Sequence, residues 1–135
     1  MSPEDLPQAL ADAIAARRTA DTNAITLEDI DARLAENEMS RQWHRTDCLE
    51  HALSVFDATT PAMALTQLLI AMRTLRHFHE MDLTNAERDN TYFLGLNCLA
   101  SSHRFVVGST STVLPVDLTS FYVPRFVRNQ NRRND

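Results

Sequence analysis

The sequence predicts an all-α fold, an antiparallel helical bundle of about five helices with an extended C-terminal arm, and three observations carry that expectation. Glycine occurs only twice, at Gly95 and Gly108, while Ala, Leu, Arg and Glu are plentiful. That balance leaves few tight hairpins and favours helices. Apolar residues recur at spacings of three and four, and capping signals separate the periodic segments by short joints.

The first helix starts in SPEDLPQ, where Pro3 and Pro7 suit a first turn, and continues to Arg18 through Leu6, Leu10, Ala13 and Ile14. The polar run TADTNA is expected to end it. A second helix is signalled by Thr26 as N-cap, Asp29 in its first turn and Ile25 placed to staple against Ile30. Its stripe of Leu27, Ile30 and Leu34 is narrow, as in a peripheral helix resting on one neighbour. The third helix should run from Ser40 to Asp57, burying Leu49, Ala52, Leu53 and Phe56. Thr60 and Pro61 form a cap followed by proline at the first helical position, so the fourth helix runs from there to Glu80. Its apolar face is Leu65, Leu68, Met72 and Leu75. Thr84 and Glu87 make a capping-box pattern for the fifth helix, with Tyr92, Phe93, Leu96, Leu99, Ala100 and His103 along one side and a stop near Gly108. The expected core is Leu49, Leu53, Phe56, Leu65, Leu68, Met72, Leu75, Phe93, Leu96 and Leu99.

Residues 1–108 therefore read as a helical bundle domain and 109–135 as a docking arm. In the arm, Leu118, Phe121 and Tyr122 stand at i, i+3 and i+4, and Pro124 makes Val123 extended. Arg125, Arg128, Arg132 and Arg133 follow, opposed only by Asp135.

The composition excludes several function classes. A chain of 135 residues with 44% hydrophobic and 23% charged residues is ordinary for a globular domain. Its longest apolar region, Ala62 to Met72, is interrupted by Thr66 and Gln67 and is far shorter than the roughly 20 residues of a membrane span. The acidic start MSPEDLPQAL resembles neither a secretory signal nor a transit peptide, so an intracellular, cytoplasmic location is the expectation. Cys48 and Cys98 lack CxxC spacing and are read as free, structurally buried thiols. The net charge is −5, with twelve acids against five arginines in residues 1–60 and six against eight in 61–135. Duplex nucleic acid calls for a dominant basic face that this body lacks. Lysine is absent, a bias that base composition explains as readily as function does.

Chemistry-bearing residues concentrate in HRTDCLEH, residues 44–51. At about 100° per residue, His44, Cys48 and His51 share roughly 60° of arc and could touch one ion. Zinc wants a fourth ligand, which would come from His77 or His79. His79 is expected to face inward and His77 outward, while Cys98 points away from its helix's apolar face and His103 faces inward but lies at the far end. The histidines do not converge, so HRTDCLEH reads as the shoulder of an ordinary helix. The set His44, Cys48, His51 and His79 stands as the metal alternative, and no cofactor is implied. Cys48 and Cys98 fall in mid-helix, away from the termini that activate thiols. Glu28, Asp29 and Asp31 complement a helix N-terminus. No catalytic residue is assigned.

The arm supplies the partner-binding expectation. Leu118, Phe121, Tyr122 and Phe126 would anchor it, and Arg125, Arg128, Arg132 and Arg133 would pair with carboxylates at the rim. The chain thus reads as a non-enzymatic interaction module, an adaptor, assembly chaperone or accessory subunit, binding a protein partner or a second copy through the bundle surface and the arm. RNA bound by the Arg-rich tail, with Phe121, Tyr122 and Phe126 stacking on bases, is the nucleic-acid alternative.

Overall fold

A computed structural model describes residues 1–26, 29–111 and 113–122, with side chains for the same residues except 25–32 and 119–121. The chain is all-α and its long helices pair antiparallel, as the bundle reading expects. After a short 3-10 turn at Pro3–Asp5 come α1 (Leu6–Thr26), α2 (Asp29–Val55), α3 (Pro61–Glu80), α4 (Asn85–Thr110) and α5 (Val116–Tyr122), with no strand among the described residues. The chain divides into two compact units, Met1–Phe56 and Asp57–Asp135. The first is built on the α1–α2 pair and the second on the α3–α4 pair.

The opening turn is held by Ser2, whose N–H and hydroxyl both donate to Asp5 Oδ2 at 3.1 Å. From there α1 does not stop at Arg18 but runs on to Thr26. The polar run does not break the helix: Thr19 and Thr22 donate their hydroxyls back to the carbonyls of Ala15 and Arg18, at 3.2 and 3.0 Å, which absorbs them into the helix. The expected second and third helices are likewise one helix, α2. Within it Glu38 meets Gln42 four residues on and Arg41 three residues on, local pairs that keep the polar middle helical. The Thr26 cap and the Ile25–Ile30 staple fall on side chains outside those described.

Leu6, Ala9, Leu10, Ala13 and Ala20 form the buried edge of α1, and Ala35, Thr46, Glu50 and Leu53 that of α2. Alanines at the contact let two helix backbones approach closely. Trp43 completes this unit from its half-exposed position: its indole Nε1 donates to Asp21 at 2.9 Å, and the Arg17 guanidinium lies 3.4 Å from the ring centroid.

In the second unit the start signals act as expected. Met63 N–H donates to Thr60 Oγ1 and Glu87 N–H to Thr84 Oγ1, both at 3.2 Å, with Pro61 at the head of α3. Gly108 does not end α4; the helix continues to Thr110, and Ser111 takes the left-handed C-cap at φ 52°. Within the second unit, the segment before α3 is tied to α4 by Ala58 N–H donating to Ser101 Oγ at 2.9 Å and by an Arg104–Asp57 ion pair at 2.6 Å.

The main correction concerns which faces are buried. Of the expected core, Leu53 is fully buried and Leu49, Leu68 and Leu96 are half-buried, but Phe56, Leu65, Met72, Leu75, Phe93 and Leu99 are exposed. The seam between α3 and α4 instead uses Met63, Ala64, Gln67, Ile70, Ala71 and Thr74 against Leu94, Gly95, Cys98, Ser101 and Ser102. Its tightest point is Gly95, where a Cβ would overlap the Thr74 hydroxyl. Small side chains permit that approach, and the larger apolar row of each helix is left turned aside.

Candidate functional site

Two rows of large side chains remain open on the α3–α4 pair. On α3, Leu65, Leu68, Met72, Leu75 and His79 follow one another at alternating spacings of three and four. On α4, Tyr92, Leu96, Leu99, His103 and Val106 alternate four and three. Both rows therefore carry the heptad spacing of a helix–helix seam. Leu65, Met72 and Leu75 are 61%, 64% and 66% exposed.

A groove joins the rows into one face. It encloses about 370 Å³, is almost wholly apolar, and has Ala71 and Gly95 along its floor. Leu75 and Phe78 of α3 form one wall, and Tyr92, Leu96 and Leu99 of α4 the other. The shallow floor follows directly from the small-residue seam: with no side chain at position 95, nothing large fills the space above the contact. At the turn between the helices, Arg88 lies over the Phe78 ring at 5.8 Å, and Tyr92 and Phe93 meet edge to face at 5.4 Å. The surrounding charges have both signs, with Arg76 paired to Glu80 at 3.3 Å and Arg73, Arg88 and Asp89 exposed nearby.

This face offers apolar area and shape along its groove. Sequence reasoning named most of its residues but placed them in the core. The small positions Ala64, Ala71 and Gly95 were the available signal: they mark where helices can approach, and a helix with small residues on one side and large ones on another has two faces to occupy.

The HRTDCLEH residues behave differently. His44 Nε2 is 3.6 Å from Cys48 Sγ, and His51 Nδ1 is 2.8 Å from the carbonyl of Asp47 on its own helix. All three are exposed, so Cys48 is not the buried thiol expected, whereas Cys98 is fully buried. Among the described residues no three His, Cys, Asp or Glu side chains are grouped to hold a metal ion. His77 is half-buried and His79 exposed, the reverse of the expected orientations, and His103 is exposed as well. The reversal has the same cause as the core correction: orientation was judged from the large apolar rows, and the seam lies on the small ones.

Of the arm residues, Leu118 and Tyr122 are exposed on α5, whose span agrees with the i, i+3, i+4 spacing of Leu118, Phe121 and Tyr122. The Phe121 side chain and the whole of Arg125, Phe126, Arg128, Arg132 and Arg133 lie outside the described residues. No helix among those described is long and apolar enough to cross a membrane. Compared with known protein families, curated proteins and solved structures, the chain matches none.

Proposed function

We propose that the chain is a non-enzymatic protein–protein interaction module, in the manner of an adaptor, assembly chaperone or accessory subunit, and that it docks through the α3–α4 face. The observation that supports this reading is the exposure of two heptad-spaced apolar rows joined across a groove. Apolar patches on monomeric proteins rarely exceed a few hundred Å² unless they bind something. The leucines, methionine and aromatic residues here are the side chains that fill pockets at interface centres, and the arginines at the edge are suited to orienting a partner. The arm, with Leu118, Phe121, Tyr122 and Phe126 as anchors and Arg125, Arg128, Arg132 and Arg133 beside them, would extend the contact.

The test compares complexes formed by the full chain with those formed by a Leu65→Glu, Leu75→Glu variant, using chemical cross-linking and native size separation. The reading expects assemblies, with itself or with other proteins, that disappear in the variant while helicity and melting are retained. Equal assembly by both chains would overturn the assignment of the face.

A further inference from the structure

We infer that the occupant of the α3–α4 face is a second copy of this chain, two such helix pairs closing face to face into a four-helix arrangement. The inference rests on the interaction reading above and adds the partner. α3 is apolar along two sides, and one of them is already taken by α4 through Met63, Ala64, Ile70 and Ala71. A helix apolar on two sides belongs between two neighbours. Its second row, Leu65–Leu68–Met72–Leu75, has the three–four alternation that seats knobs into the holes of another helix, and the α4 row from Tyr92 to Val106 has the same alternation. An identical face therefore offers matching rows at the shallow crossing angle, about 20°, of four-helix bundles.

Area and charge favour the same occupant. From the exposures of Leu65, Met72, Leu75, Tyr92, Leu99 and Val106, the open surface of these six residues is on the order of 600 Å². Two such faces would bury about 1,200 Å², the lower bound for a specific interface, and each lies at the upper end of the roughly 300–600 Å² of the largest patch on a typical monomer. No Asp, Glu or Arg interrupts either row, and Arg73, Arg76, Glu80, Arg88 and Asp89 bring both signs to the surroundings. A two-fold contact presents the same set of charges twice, so a rim of one sign would repel its copy, whereas a mixed rim can pair.

Sedimentation equilibrium of the full chain over a wide concentration range, combined with oxidative footprinting of Met72, tests this. The expected result is a dimer in which Met72 is protected. Met72→Gln keeps volume and helix propensity, and Leu65→Glu is the stronger disruption; either should weaken self-association by at least about thirtyfold with helicity unchanged. A wild-type monomer whose Met72 oxidises freely would overturn the second copy and leave the interaction reading standing with a different protein as partner. A wild-type monomer with Met72 protected would mean that the chain covers its own face, which overturns both. A dimer of equal strength in wild type and both variants would place self-association on another surface and overturn the inference.

Discussion

The α1–α2 and α3–α4 pairs are built to similar lengths and joined by similar small-residue contacts, yet among the described residues the second leaves more of its large side chains outside. In the first pair Leu6, Leu10 and Leu53 enter the buried edge, and the exposed ring of Trp43 is held between Asp21 and Arg17. In the second, Met63, Ile70 and Leu94 share the contact with Ala64, Ala71, Gly95, Ser101 and Ser102, while Leu65, Leu69, Met72, Leu75, Phe78 and Tyr92 stay outside. Hydrophobicity alone does not choose the face a helix pair uses. Where small residues line one side, close backbone approach satisfies many contacts at once, and the bulky side becomes available for another layer.

Substitutions can break or sharpen that contrast. The largest effect should come from Leu53→Ala, which empties a fully buried position and should cost about 2–5 kcal/mol in denaturant unfolding. Leu65→Ala, at an exposed position of the second pair, should cost less than about 0.5 kcal/mol when measured on dissociated chains. Similar losses at the two sites would erase the distinction between a filled seam and an open row.

Next comes Gly95→Ala, whose Cβ would meet the Thr74 hydroxyl. Ordinary helix propensity favours alanine by about 1 kcal/mol, but overpacking here should reverse the sign to a loss of about 1–3 kcal/mol. Gly108→Ala is the control: no atom lies within 4 Å of the added methyl, so thermal melting should show a gain of about 0.5–1 kcal/mol. Gains at both positions would mean that α3 and α4 do not approach closely at Gly95.

Smaller still, Thr84→Ala removes the acceptor for Glu87 N–H and should lower unfolding free energy by about 1 kcal/mol. In the first unit, Trp43→Leu should lose about 0.5–1 kcal/mol with the Arg17 stacking contact. Fluorescence quenching of the single tryptophan by Arg17→Ala would report the same contact: the ring should become more accessible to a soluble quencher, and unchanged quenching would place Arg17 elsewhere.

The sequence by itself determined what is local. Thr60 with Pro61 and Thr84 with Glu87 named the starts of α3 and α4, because a cap is a hydrogen bond within one turn and needs no partner helix. It also identified both large apolar rows, since periodicity is a property of a single helix. It misjudged TADTNA, where threonine hydroxyls could serve either a break or the helix they ended in, and it lacked any means of seeing that the expected second and third helices are one. Only tertiary structure decided that Cys98 and Gly95 lie in a seam while Leu65 and Met72 lie on a surface. The physical reason is that periodicity measures how apolar a face is, whereas burial depends on how closely two faces can approach, and that distance is set by the smallest residues on both helices together.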